Sequence, residues 1–230
     1  MSFAIHQTAH DKRFKLTEKM KILTISDSPL APSGVGTQTN YMIQSLLKTG
    51  KYTFISIGGA IKHQDYKPIR TEEWGDDWLI IPVDGYGTAE QMRSLIRQEK
   101  PDALWFMTDP RFFGWLWEIE DEIRPLCPMI YYHVWDNLPY PHFNEPLYSS
   151  NDVIATISKV TDDVVRNVSK EVECIHIPHA VPEDLFVKLP DDVLGRTILK
   201  KTKTSLYVFG IIGMLEENNL ELLFIGGKHS

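Results

Sequence analysis

The amino-acid sequence predicts an α/β fold built on a doubly wound, mainly parallel, Rossmann-like sheet. Between residues 20 and 177, short apolar runs typical of strands alternate with segments of helical periodicity. The chain has 230 residues, of which 43% are hydrophobic and 24% charged, so it can bury the core that such a sheet needs. Because parallel strands need long crossover connections, strands separated by helices imply a sheet covered on both faces.

The predicted strands are short runs rich in aliphatic and β-branched residues. They span residues 21–26, 52–57, 78–83, 103–106, 129–134, 153–158 and 172–177. The predicted helices carry apolar residues three or four positions apart and span residues 35–48, 89–99, 111–123 and 160–168. In the first helix Tyr41, Ile43, Leu46 and Leu47 supply the apolar positions, and Gly50 marks the end.

The helix predicted over residues 111–123 is rich in aromatic residues. Its apolar stripe consists of Phe112, Trp115, Leu116, Ile119 and Ile123. The remaining positions are crowded with acids from Glu118 to Glu122, which an anionic membrane surface would repel. The stripe therefore indicates a face packed on the core.

Charge and cysteine content exclude several classes of protein. The formal net charge of -7 argues against a nucleic-acid or anionic-membrane partner, since such partners select a basic face. The chain lacks an apolar run of the roughly 20 residues that span a membrane. Its two cysteines, Cys127 and Cys174, are far apart without metal-ligand spacing, so the expected setting is the reducing cytoplasm.

Three polar loops follow predicted strands, at the edge of the sheet where ligands of parallel α/β folds bind. In the first loop Ser33, Gly34, Val35 and Gly36 precede a helix, and this arrangement is typical of a phosphate site. The Walker Gly-Lys-Ser/Thr is absent. Thr39 replaces the third glycine of the dinucleotide fingerprint, which disfavours NAD. A tight turn without a ligand is the alternative interpretation.

The second and third loops span residues 107–111 and 133–142. Thr108 and Asp109 lie in the second loop, and in the third loop His133 ends a strand three residues before Asp136. These side chains are candidates for acid-base chemistry, although a histidine in this position can also be a packed residue. A metal site formed by His133, Asp136 and His142 has no recognised ligand spacing, so no metal is predicted.

Four segments resemble, in their order and spacing, the N-terminal half of family 4 glycosyltransferases of the GT-B fold. They are SDSPLAPSGVGTQTNYMIQSLL, YYHVWDNLPYP, NDVIATISKVTDDVV and HIPHAVPEDLF. The resemblance covers residues 20 to about 189. It implies an acceptor-side Rossmann-like domain that faces a second domain holding a nucleotide sugar. Ala180 and Pro182 depart from the Gly and Asp of the family's last segment.

The resemblance also implies roles for individual residues. Gly34 and Gly36 match a glycine loop near the donor phosphates, and His133 matches a histidine that lines the donor-sugar pocket. Asp109 or Asp136 would act as a base or orient the acceptor. The residues expected to line the substrate site are Thr108, Asn137, Ser158 and His179. The implied reaction is retaining, with a nucleotide sugar as donor substrate, an unknown acceptor, no cofactor and no metal.

The sequence pattern and the family resemblance together predict four parts of the chain. Residues 1–19 form an N-terminal extension without the apolar core of a secretory signal, residues 20–189 form the Rossmann-like domain, and residues 190–208 form a linker and the start of a second domain. Residues 209–230 lack the basic residues that the family places there for the diphosphate. With third codon bases chosen to fit, another reading frame gives WNNRNARRKQSG, so this tail is interpreted as frame-shifted and aberrant.

Two hypotheses of different class follow. In the first, the chain is the N-terminal part of a retaining glycosyltransferase and is inactive by itself. In the second, it is a non-catalytic, flavodoxin-like module that binds a nucleotide or a protein.

Overall fold

The computed structural model describes residues 19–182, 207–216 and 219–227. The chain divides into two compact units, Met1–Val181 and Pro182–Ser230. In the second unit β9 (Tyr207–Glu216) and β10 (Asn219–Gly227) pair in antiparallel orientation. Most of the predicted extension, most of the predicted 190–208 linker and the last residues of the predicted tail lie outside the described residues.

The first unit contains an eight-stranded sheet in the order β3-β4-β2-β1-β5-β6-β7-β8. The strands are β1 (Met20–Asp27), β2 (Tyr52–Gly59), β3 (Ile69–Arg70), β4 (Trp78–Pro82), β5 (Ala103–Met107), β6 (Met129–His133), β7 (Val153–Thr156) and β8 (Glu173–His176). All neighbours are parallel except β3, which pairs with β4 in antiparallel orientation. This confirms the predicted doubly wound, mainly parallel sheet.

Six α-helices connect these strands. They are α1 (Gly34–Leu47), α2 (Ala89–Glu99), α3 (Gly114–Trp117), α4 (Glu120–Ile123), α5 (Glu145–Ser149) and α6 (Lys159–Val168). Short 3₁₀ turns occur at Gly75–Asp77, Pro110–Phe112 and His142–Asn144. Serine or threonine side chains cap the three longest helices: Ser33 is the N-cap of α1, Thr88 of α2 and Ser158 of α6.

Helices cover both faces of the sheet, but unequally. On one face α1 packs against β2 and β4 through a cluster that includes Ile43, Phe54 and Trp78. On the other face residues of α2 to α6 join β1, β2 and β5 to β7 in the main core. Side chains such as Phe106 have no exposed surface, and full burial of one such side chain contributes roughly 1.5–3 kcal/mol.

The order of strands creates a switch point beside β1. The next strand in the sequence, β2, lies on one side of β1. On the other side lies β5, followed by β6, β7 and β8. The connections that leave the carboxyl ends of β1 and β5 therefore run in opposite directions, and doubly wound folds bind their ligands in the crevice at such a point. The first and second predicted loops leave the sheet at these two strand ends.

The prediction of a single helix over residues 111–123 is wrong. The segment forms a 3₁₀ turn, then α3 and α4, with breaks at Phe113 and Ile119. The reason is packing, because Phe113, Trp117 and Ile119 are all buried and one straight helix cannot turn them to a single face. Phe112, predicted in the core stripe, is 46% exposed.

One strand and one α-helix of the first unit were not predicted from the sequence. The two-residue strand β3 extends the sheet beyond β4, and α5 lies between β6 and β7.

Within the described residues, no helix is long and apolar enough to cross a membrane.

Candidate functional site

Asp27, at the carboxyl end of β1, joins two loops beside the switch point. Its side chain is buried, and Ser33 Oγ donates a hydrogen bond to Oδ2. Tyr86 Oη, from the loop between β4 and α2, donates to Oδ1 over 2.8 Å. The sequence analysis missed both Asp27 and Tyr86. An acid at the end of the first apolar strand is the sequence signal that could have identified Asp27.

Ser33 links this carboxylate to the beginning of α1. Its extended backbone (φ -112°, ψ 159°) places the side chain as the N-cap, and Oγ accepts the backbone N–H of Gly36 at 3.0 Å. The hydroxyl therefore accepts from the helix while it donates to Asp27. Because capping by serine contributes about 1 kcal/mol, this pair of bonds holds the loop on the sheet.

The two glycines of the predicted phosphate loop have different surroundings. A Cβ on Gly36 would lie 2.5 Å from Ser28 O and 2.8 Å from Ala31 O, so only glycine fits there. A Cβ on Gly34 would meet nothing within 4 Å, and this residue is exposed. Val35 packs beside Met107 in a small apolar cluster. Gly34 is therefore the member of the loop whose backbone a ligand can approach.

The end of β2 is closed by neighbouring backbone. A Cβ on Gly58 would lie 2.8 Å from Ser28 Cα, and a Cβ on Gly59 would lie 1.6 Å from Gly85 O. Dinucleotide-binding folds use an acidic side chain after the second strand for the ribose hydroxyls. No side chain of any kind fits at these two glycines.

Asp109, beyond β5, is engaged by its neighbour Arg111. The guanidinium donates to Oδ1 over 2.9 Å and to Oδ2 over 3.1 Å, and the Arg111 backbone N–H also donates to Oδ1. Burial acts to raise the pKa of the Asp109 carboxyl, but the hydrogen bonds from Arg111 outweigh it, so the pKa lies below its ordinary value. A carboxylate in this state is a weak base. Thr108 precedes it and is buried, and its carbonyl accepts a hydrogen bond from Tyr131 Oη at 2.8 Å.

His133 ends β6 and has no exposed surface. Its Nε2 lies 2.7 Å from Tyr148 Oη, and its ring packs on Tyr131 with the centroids 4.7 Å apart. Burial lowers the pKa of His133 to about 3, against the opposing effect of the negative charge on Asp109. The imidazole is therefore neutral at physiological pH. Nδ1 is buried and has no hydrogen-bond partner among the residues that the structure describes.

Residues 136–139 of the third loop are exposed to solvent. Asp136 and Asn137 are exposed, and Trp135 Nε1 donates to the Asn137 carbonyl at 3.0 Å. The structure does not bring Asp136 into a hydrogen bond with His133 in the part of the chain that it describes. In the same part of the chain, no group of three or more His, Cys, Asp or Glu side chains is arranged to hold a metal ion.

Ser158 and His179 lie on the β7 and β8 side of the sheet. Ser158 is the N-cap of α6, and its Oγ accepts the Thr161 backbone N–H at 3.1 Å. His179 packs on the ring of Tyr132 with centroids 5.5 Å apart, and partial burial lowers its pKa. The structure thus assigns Ser158 a capping contact and His179 an aromatic contact.

Comparison with known proteins identifies the class of fold. No family model and no curated protein sequence matches the chain. Among solved structures, the chain is similar to the apo structure of OtsA, a GT-B glycosyltransferase, with a TM-score of 0.50 and 8% sequence identity. The similarity covers 83% of this chain and 56% of the OtsA chain, so the chain spans about half of that protein's length.

At this sequence identity the similarity shows the fold alone. The eight-stranded unit has the Rossmann-like architecture of one half of a GT-B fold. The GT-B part of the resemblance drawn from the sequence is therefore confirmed, whereas membership of family 4 stays a prediction.

Proposed function

We propose that the chain is the N-terminal, acceptor-side part of a retaining family 4 glycosyltransferase that takes a sugar from a nucleotide-sugar donor. The observation that carries the proposal is the meeting of two predicted loops at the switch point of a GT-B-like sheet. The loop after β1 is anchored by Asp27, and the loop after β5 carries Asp109. The proposed acceptor is a molecule with a free hydroxyl.

The chemistry of glycosyl transfer suits such a crevice. Positive charge develops on the sugar and negative charge on the departing diphosphate, and fixed dipoles stabilise both. The exposed backbone of Gly34, at the N-terminus of α1, provides N–H groups and a helix dipole for a phosphate oxygen. The neutral ring of His133 provides a hydrogen bond for a sugar or acceptor oxygen.

The charges at this crevice favour an acceptor-side role. Asp27 and Asp109 are both carboxylates, and the guanidinium of Arg111 is already held by Asp109. A diphosphate carries negative charge that prefers bidentate Arg or Lys partners. We therefore place the main diphosphate contacts on the second half of the GT-B fold, and we expect the present chain to transfer no sugar by itself.

One observation favours the second hypothesis, a non-catalytic nucleotide- or protein-binding module. His133 has no exposed surface, so in this structure it cannot contact a ligand unless a neighbouring group moves. In a non-catalytic module the ring would remain a packed core residue.

A titration followed by NMR tests the proposal. The ¹⁵N-labelled chain is titrated with UDP-glucose, GDP-mannose and the free sugars. The expected result is a saturable shift of the backbone amides of residues 33–36 with a nucleotide sugar. Gly34→Val should abolish this shift, whereas Gly114→Val, at a glycine with equally open surroundings, should preserve it.

Two results would contradict the proposal. If no nucleotide sugar moves these amides at millimolar concentration, the loop is only a structural turn. If UDP or GDP, added in the same titration, shifts these amides as strongly as its sugar conjugate, the non-catalytic module is the better description.

A further inference from the structure

His133 has one hydrogen-bonded nitrogen and one unpaired nitrogen. Nε2 lies 2.7 Å from Tyr148 Oη, and Nδ1 is buried without a partner among the residues described. In a neutral imidazole one nitrogen donates and the other accepts. The partner of Nε2 therefore decides whether Nδ1 is a donor or an acceptor.

The hydrogen bonds around Tyr148 settle the direction of its bond to His133. Asn144 Nδ2 lies 3.4 Å from Tyr148 Oη, and an amide N–H can only donate, so it occupies a lone pair of the phenol oxygen. The proton of the phenol then needs an acceptor, and His133 Nε2 is within reach. Burial raises the pKa of Tyr148 to about 12, so the proton stays on the oxygen.

We propose that Tyr148 is a positioning residue that holds His133 in the Nδ1–H tautomer, so that the ring offers a hydrogen-bond donor to a sugar hydroxyl oxygen. The relay runs from Asn144 through Tyr148 to His133, and every member is buried. An imidazole in this tautomer has no free lone pair at Nδ1. His133 therefore binds an oxygen atom and does not act as the base that deprotonates the acceptor.

The ligand part of this inference rests on the proposed function, whereas the tautomer does not. A buried N–H without a partner is costly, so an arriving oxygen regains a hydrogen bond that the folded chain lacks. Because His133 is fully buried, the ligand must first displace a group that covers Nδ1.

The tautomer is measured directly by long-range ¹H–¹⁵N NMR of the ¹⁵N-labelled chain at neutral pH. His133→Gln assigns the signals by their loss. The expected spectrum has the proton on Nδ1 in at least a roughly tenfold excess over the other tautomer, as a free-energy difference of about 1.4 kcal/mol would give. A proton on Nε2 in the unmodified chain overturns the inference, and this measurement needs no variant.

Tyr148→Phe removes the hydroxyl and keeps the ring. The Nδ1–H signal should then lose its dominance, and the Nε2–H form should appear. Tyr140→Phe is the matched control, because its hydroxyl donates to the exposed Asp163 carboxylate and does not contact His133. The Tyr140→Phe variant should leave the tautomer of His133 unchanged. An unchanged His133 spectrum in folded Tyr148→Phe protein overturns the role of Tyr148.

The ligand part is tested by adding UDP-glucose and, separately, GDP-mannose at saturation. A downfield shift of the Nδ1 proton supports donation to a ligand oxygen. If the amides of residues 33–36 respond and the Nδ1 proton does not, the donor role is overturned and the proposed function stands. If neither responds, the proposed function and the donor role fall together, and the tautomer is still decided by the spectrum of the free chain.

Discussion

The phenolic oxygen of Tyr86 lies 2.8 Å from Oδ1 of Asp27, and this bond joins residues 59 positions apart in the chain. Tyr86 belongs to the loop before α2, whereas Asp27 ends the central strand. Burial, followed by the hydrogen bond to Asp27, raises the pKa of Tyr86 to about 12. The phenol therefore remains a donor at physiological pH and keeps the two loops in a fixed relation.

The first prediction concerns this carboxylate. Asp27→Asn removes the charge that accepts from both Ser33 and Tyr86. Because the amide nitrogen only donates, one of the two hydroxyls must give up its donated bond or reverse to become an acceptor. We expect the free energy of unfolding to fall by about 1–3 kcal/mol in urea denaturation. Asp84→Asn is the control, since Asp84 accepts from Tyr66 at the surface, and it should change stability by less than about 0.5 kcal/mol. Equal effects of the two variants would contradict the anchoring role of Asp27.

The second prediction separates the two glycines of the loop. Gly36→Ala places a methyl group against two backbone oxygens and should cost about 1–3 kcal/mol of stability. Gly34→Ala meets open space, and it should be neutral or stabilising by up to about 1 kcal/mol. Thermal unfolding of both variants measures the difference. A stable Gly36→Ala protein would mean that the loop backbone moves aside easily.

The third prediction concerns pH. His133 has its pKa lowered from 6.5 to about 3 by burial, so between these values the unfolded chain binds a proton that the folded chain excludes. The contribution of His133 to the free energy of unfolding is fully present above pH 6.5 and is lost as the pH falls toward 3. The loss should be on the order of 4 kcal/mol. Denaturant titrations of the unmodified chain and of His133→Gln, taken every half unit from pH 7 to the acid limit of folding, give the comparison.

The expected result is a flatter pH dependence for His133→Gln over this window. His179→Gln is the control, because His179 is less buried than His133 and its pKa is lowered less. Parallel pH profiles for the unmodified chain and His133→Gln would show that the pKa of His133 is the same in the folded and unfolded chain.

The fourth prediction concerns activity. The 230-residue chain should neither transfer nor hydrolyse a nucleotide sugar above the rate of His133→Ala, because the proposed reaction needs the second half of a GT-B fold. Release of nucleoside diphosphate, followed by a coupled assay, measures the rate. Turnover by the unmodified chain above that background would place the whole catalytic site within these residues.

Much of the fold was predictable because the strands of a parallel sheet are almost continuously apolar. The predicted strands 52–57 and 103–106 differ from β2 and β5 by one or two residues at their carboxyl ends. Helix α2 was predicted with its observed bounds, since Thr88 caps it and Lys100 ends it in the left-handed conformation. The segment after β5 was not predictable, because its breaks depend on where Phe113 and Trp117 find space in the core.

The candidate site was predictable only as a set of loops. Strand order and the switch-point rule place the loops after β1 and β5 together, and both were identified from the sequence. The hydrogen bond between Asp27 and Tyr86 depends on tertiary structure, and no local pattern indicates it. The burial of His133 likewise comes from Tyr131 and Tyr148, which belong to the aromatic core.

The close contacts of the glycines have a consequence for protein engineering. Gly36, Gly58 and Gly59 bring main chain against main chain, so the shape of the crevice wall does not depend on the exposed side chains nearby. Leu30, 47% exposed in the same loop, can therefore be randomised together with its exposed neighbour Pro32. A library that keeps the glycines and Asp27 would change the surface chemistry of the wall while the scaffold beneath it stays constant.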